Sequence, residues 1–162
     1  EARNAIPRQP VKLDELVRDA VLRFLPRADA AGVDLGAVGL DEPVVVRGQA
    51  VLIEGVLNNL IDNALRYGAP ADGAAPHVTV ELSREGSDVV LSVIDNGPGL
   101  PARQQEMRQR WVQGQEGKRL GQGAGLGLAI VARYAELLDA RHEFVPGPQG
   151  VGLCVRLVLA GA

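Results

Sequence analysis

Three stretches of the chain repeat apolar residues at helical spacing. In the first, Leu16, Val17, Ala20, Val21, Phe24 and Leu25 line one face; Asp14 is placed to cap the start, and Pro26 to end the helix there or a few residues later. In the second, Gln49 to Tyr67, the stripe Ile53, Val56, Leu57, Leu60, Ile61 and Ala64 predicts a helix lying on a sheet. The third runs from Ala124 to Leu138 through Ile130, Val131 and Tyr134. β-Branched or alternating runs between Gly, Asp and Pro predict strands at Val33 to Leu35, Val44 to Arg47, His77 to Arg84, Asp88 to Asp95, Arg141 to Pro146 and Val151 to Leu159. Glu85-Gly86-Ser87 is the hairpin turn between the third and fourth of these. Residues 1–10, with Pro7 and Pro10, read as an extended lead-in, and residues 11–162 as one domain. About three helices in one layer on a mixed sheet make an α+β two-layer sandwich.

Composition narrows the function. Hydrophobic residues at 46% and charged residues at 23% of 162 describe an ordinary globular domain. A net charge of -3 gives no basic face for nucleic acid. No apolar run approaches the roughly 20 residues that span a bilayer. The single cysteine, Cys154, excludes an internal disulfide framework and is expected to be a small buried hydrophobe. The chain opens at Glu1 without a methionine and reads as a piece of something longer.

Three patches carry chemistry. In Asn58-Asn59-Leu60-Ile61-Asp62-Asn63-Ala64-Leu65-Arg66-Tyr67, helical spacing puts Asn59, Asn63, Arg66 and Tyr67 on one face, at the rim of the apolar stripe. Two amides, a guanidinium and a phenol there suit a metal-bound polyphosphate: Mg²⁺ takes few protein oxygens beside waters and phosphates, and an arginine pairs with phosphate. In Asp95-Asn96-Gly97-Pro98-Gly99, a carboxylate at a strand end can accept from an exocyclic amine such as adenine's, with glycines to let a ligand approach. In Gly121-Gln122-Gly123-Ala124-Gly125-Leu126-Gly127-Leu128, alternating glycines enter a helix, an arrangement that suits phosphates. Each patch alone has a plain explanation: a solvated helix face, a turn, a hinge. No P-loop pattern occurs, and Leu126 fills the third glycine position of a dinucleotide fingerprint.

In order, the three patches resemble the nucleotide-binding boxes of the GHKL superfamily of gyrases, heat-shock chaperones, histidine kinases and MutL proteins. Asn59 to Ala64 resembles the N box, Asp95-x-Gly97-x-Gly99 the first glycine box, and Gly123-Ala124-Gly125-Leu126-Gly127-Leu128 the second. The resemblance implies a Bergerat-type ATP-binding fold with ATP and Mg²⁺ bound. Asn63 would be the metal ligand; Asn59 and Arg66 would act with it in catalysis. The nucleotide would lie on these residues together with Tyr67, Asp95, Gly97, Gly99, Gly123, Gly125, Leu126, Gly127 and Leu128.

Hydrolytic members place a water-activating Glu four residues before the metal-binding Asn; here that position is Asn59, which cannot act as a base. Glu54 lies off that face. The chain therefore resembles the catalytic domain of a bacterial sensor histidine kinase. That implies γ-phosphoryl transfer to a histidine on an upstream helical segment, and a response regulator as the next acceptor. It further implies a monomeric fragment of a homodimeric parent, cytoplasmic, with the parent anchored in the inner membrane. Neither His77 nor His142 has a helical setting, so both read as structural or surface residues. An anti-sigma-type serine kinase and an ATP-sensing module without transfer are the alternatives. Two departures stand out: Arg108 and Trp111 occupy the F-box aromatic positions, and no Thr lies near Gly152-Leu153-Cys154. Leu100 to Gln122 is expected to form a cationic, phosphate-facing lid, mobile without nucleotide and partly ordered with it.

Overall fold

A computed structural model describes residues 7–100, 102, 103, 105 and 126–162. The F-box positions Arg108 and Trp111, Gly123, Gly125 and most of the expected lid lie outside the described residues.

Strand β1 (Gln9–Lys12) opens the fold and pairs antiparallel with β3 (Val45–Gly48). It crosses the boundary drawn at residue 10, so the lead-in ends in a strand; Pro10 is tolerated because this is an edge. Helix α1 (Leu13–Ala30) follows at once. Asp14 does not cap it. Lys12 holds that position, and the buried Asp14 carboxylate instead accepts from Val44 N at 3.0 Å, fixing the entry to β3. Pro26 sits inside α1, exposed. The helix runs on to a glycine stop: Gly32 at φ 73 lets Val33 N donate back to Ala28 O at 2.9 Å.

Five strands form the main sheet in the order β2-β4-β5-β7-β6: β2 (Asp34–Val38), β4 (His77–Glu85), β5 (Asp88–Asp95), β7 (Leu153–Ala160) and β6 (Arg141–Pro146). β2 and β4 are parallel and every other pair is antiparallel, so the sheet is mixed as expected. β2 runs further than its apolar signal because Gly36 to Val38 stay in register with Thr79 to Glu81. β7 starts later than Val151 because Gly152 turns at φ 78 first.

Helix α2 (Ala50–Tyr67) and helix α3 (Leu126–Leu138) join α1 on the sheet, giving an α+β sandwich of three helices among the described residues. All six residues of the α2 stripe are buried, the five larger ones each contributing roughly 1.5–3 kcal/mol. They meet Val78, Val80, Leu91, Val93, Val155 and Leu157 in one core cluster. α2 and α3 pack closely where Gly55 faces Tyr134; a Cβ at Gly55 would lie 2.8 Å from Tyr134 Cδ2. Cys154 points to the sheet's other face, where it is half-buried, and burial pushes its thiol pKa up. No helix among the described residues is long and apolar enough to cross a membrane.

Candidate nucleotide-binding site

The last two turns of α2 end against the end of β5. Gly68 closes α2, donating to Ala64 O at 2.8 Å, and sits so near Asp95 that a Cβ would lie 2.8 Å from its Cγ. A Cβ on Gly97 would lie 2.7 Å from Gly68 Cα. The requirement for glycine at 97 therefore comes from backbone meeting backbone, whereas Gly99 faces open space. Asn96 ties the preceding loop down: its Oδ1 accepts from His77 N at 2.8 Å and its Nδ2 donates to Ala75 O at 2.9 Å. On the far side, Gly152 at φ 78 packs against the Asp95 carbonyl, a close approach that no side chain would permit. The sequence offers Gly68 only as a loop breaker after α2 and gives Gly152 no role, because a close approach between distant backbone segments leaves no local pattern.

This packing buries polar groups. Asp95 is 4% exposed, Asn63 6% and Tyr67 3%. Asn63 thus lies inside the rim where helical spacing had put it. Gly97 N donates to Asp95 Oδ1 at 3.0 Å. Asp95 and Asn63 are also met by a residue that the sequence offers only as one of the cations of the expected lid. Helical backbone begins at Leu100, Arg103 N donates to Gly99 O at 3.0 Å, and Leu100 packs on the core. That turn carries Arg103 inward to 0% exposure. Its Nη2 donates to both Asp95 oxygens at 2.7 Å, and its Nη1 donates to Asn63 Oδ1 at 3.0 Å. Nη2 also reaches Pro98 O at 3.3 Å.

The other predicted residues divide. Asn59 is half-buried and its Nδ2 donates to Gly55 O at 2.7 Å, folded back on its own helix. Arg66 is exposed and points away from Asn63: its Nε donates to Asp62, which Arg27 of α1 also holds at 2.7 Å. Residues 62 and 63 differ by about 100° around the helix, and the Asp62 side draws Arg66 toward α1. Leu126 and Gly127 begin α3, and Leu128 is half-buried on it. Glu54 pairs with Arg23 at 3.4 Å on an outer face, so it does not stand in for the missing base. His77 is exposed beside Asp34 at 3.3 Å, and His142 meets Phe144 edge-on; both are on strands.

A single amide oxygen at Asn63 fits a divalent ion held mainly by phosphates and water. The described residues contain no group of three or more His, Cys, Asp or Glu that could hold a metal.

Residues 48–161 match the model of the histidine kinase-, DNA gyrase B- and HSP90-like ATPases. The chain is 37% identical over 160 residues to the probable sensor histidine kinase TcrY of Mycobacterium tuberculosis, covering 96% of this chain and 32% of that one. It is 32% identical over 150 residues to the sensor protein kinase PmrB of Pseudomonas aeruginosa, covering 93% and 30%. The chain thus spans about a third of the length of these curated relatives. Among solved structures, the mycobacterial sensor histidine kinase MprB superposes with a TM-score of 0.68 at 24% identity, covering 94% and 97%. Full-length ShkA in complex with AMPPNP gives 0.72 at 24%, covering 97% and 32%. These two likenesses show the fold. The chain belongs to the histidine kinase-, DNA gyrase B- and HSP90-like ATPase family, and within it to the catalytic-domain type that sensor histidine kinases carry.

Proposed function

We propose that this domain binds Mg-ATP where α2 meets β5, and that the γ-phosphoryl passes to a histidine on a helical phosphoacceptor segment. A response regulator then takes it. The observation that supports this best is the meeting of Asn63 and Asp95, distant in sequence, in one buried polar spot floored by the apolar core. Asp95 accepts from the adenine amino group, and Gly99 leaves room beside it. Asn63 is the protein ligand of Mg²⁺, which supplies charge neutralisation on the phosphates. Asn59 and Arg66 serve the polyphosphate, Arg66 by exchanging Asp62 for a phosphate oxygen. Tyr67 closes the apolar side, and the segment Gly123 to Leu128 holds phosphate with backbone amides.

Phosphoryl transfer of this kind is mostly positioning and charge stabilisation, so the domain needs no base of its own. Asn59 stands where hydrolytic relatives carry Glu, and the only two histidines lie on strands. The isolated chain therefore binds ATP without labelling itself. The test is incubation with γ-labelled ATP, alone and with a helical phosphoacceptor segment added in trans. Acid-labile label on the added segment alone is the expected result. Stable label on Ser or Thr, or label on His142, would overturn the reading.

A further inference from the structure

We propose that Arg103 is a built-in competitor for the nucleotide: its guanidinium fills the seats of the adenine amine and the metal ion. This rests on the reading of Asp95 and Asn63 given above. Asp95 is assigned to accept from an amino group, and Arg103 Nη2 now donates to both of its oxygens at 2.7 Å. Asn63 Oδ1 is assigned to a cation, and Arg103 Nη1 now donates to it at 3.0 Å. A guanidinium is planar, donor-only and positively charged, so one group imitates both ligand features at once. While it is in place, the base and the metal must compete with the guanidinium for these oxygens.

The plug is built to leave. Arg103 is fully buried, yet its Nε meets no hydrogen-bond partner among the described residues. Desolvation cancels most of the attraction in an ion pair taken out of water, and an unmet buried donor weakens the hold further, so the closed arrangement is favoured only modestly. The backbone that carries Arg103 is a helical turn starting directly after Gly99, held to the core by Leu100. A side chain can swing out there without disturbing Asp95, whose position is fixed by β5 and Gly68.

Binding to a partly closed site multiplies the intrinsic affinity by the fraction of time the site is open. A plug in place nine-tenths to ninety-nine hundredths of the time weakens apparent affinity about 10- to 100-fold. Arg103→Met keeps the length and apolar stem but donates nothing. Calorimetry with Mg-ADP should show binding about 10- to 100-fold tighter in Arg103→Met than in the unmodified chain. Equal or weaker binding would overturn the plug. Asp95→Asn in the Arg103→Met background separates this from the site itself: it should weaken binding at least about tenfold. No change there would remove the underlying site reading; weakening without any gain from Arg103→Met would remove only the plug. Should Arg103→Met not fold, stopped-flow mixing of the unmodified chain with a fluorescent ADP decides. The observed rate should level off with rising nucleotide, limited by departure of the guanidinium, and a rate that climbs linearly throughout would refute it.

Discussion

Two arginine–carboxylate clusters lie on adjacent faces of α2, and their chemistry is nearly the same. Asp62 is held by Arg27 and Arg66 at 2.7 and 3.0 Å; Asp95 is held by Arg103 at 2.7 Å. Their surroundings are not alike. Asp62 and Arg66 keep 25% and 38% of their side-chain surface in water, whereas Asp95 and Arg103 keep 3% and 0%. Water and salt stand ready to replace either partner of the first cluster, so it decorates the seam between α1 and α2. In the second, each partner has given up solvent and depends on the other. A family of ATP-binding domains has reason to keep a carboxylate dry at that spot; a folding requirement alone has less.

The sharpest way to break the comparison is to remove each carboxylate in turn. Asp95→Ala should destabilise the domain by about 1.5–3 kcal/mol. A permanently buried pair loses about 3–5 kcal/mol on losing one partner; here the guanidinium can leave for water, which caps the loss near the 10- to 100-fold closure ratio. Chemical denaturation monitored by circular dichroism measures this, and a loss below about 0.5 kcal/mol would put Asp95 in the same class as Asp62.

Next in size is base choice. GTP offers a carbonyl where ATP offers an amine, leaving the Asp95 carboxylate opposed by an acceptor. GTP should bind about 10- to 100-fold more weakly than ATP, the range set by one unmet buried polar group. Competition against a fluorescent ADP reads it, and equal affinity would make Asp95 a structural residue only.

Asn63→Ala sharpens the comparison from the neighbouring side chain. Mg-ATP affinity should fall about tenfold or more through loss of the metal's protein ligand. Stability should fall by about 1 kcal/mol as well, because the buried amide accepts from Arg103. Titration calorimetry with and without Mg²⁺ separates the two; a mutant that binds as tightly as the parent with Mg²⁺ would strip Asn63 of the metal role.

The exposed cluster should respond least. A double-mutant cycle on Asp62 and Arg66 should give a coupling of about 0.3–0.5 kcal/mol, vanishing in high salt. The exposed pair Arg141–Glu143 extends the series through pH. The Arg141 hydrogen bond holds the Glu143 carboxyl below its usual range, with Arg156 adding to the pull. A depressed carboxyl contributes its stability above the ordinary carboxylate pKa and loses it as pH falls through the lowered value. A carboxylate titration by NMR should show Glu143 at a low midpoint that rises in Arg141→Ala.

Periodicity recovered what depends on periodicity. The α2 stripe and the hairpin from His77 to Asp95 follow from spacing and turn chemistry, and the structure keeps their limits nearly unchanged. Where a side chain serves a distant partner the pattern is silent. Asp14 looks like a cap because caps are local, but its carboxylate answers an amide 30 residues away. Arg66 shares a face with Asn63 on an ideal helix, yet Asp62 and Arg27 turn it aside. Arg103 was visible as one cation among several; nothing in its neighbours announces that it will be the largest fully buried side chain among the described residues. Much of the second glycine box lies outside the described residues, so its part in the site rests on the motif.

Strand β3 carries a topological consequence. Lys12 of β1 pairs with Val45 on one side, while Ala162 N donates to Val45 O at 3.1 Å and Gly161 bridges Val46 on the other. Lys12 and Ala162 are thus separated by a single strand, about 9–10 Å at two inter-strand spacings. A loop from Ala162 to Gln9, which keeps β1 and runs about 10 Å further along the strand, could close the chain, which could then be cut open elsewhere, as at the Gly86-Ser87 turn, leaving every contact around Asp95 in place. A circularly permuted domain of this kind would keep its nucleotide pocket while presenting new ends at the opposite edge, free for fusion to a reporter.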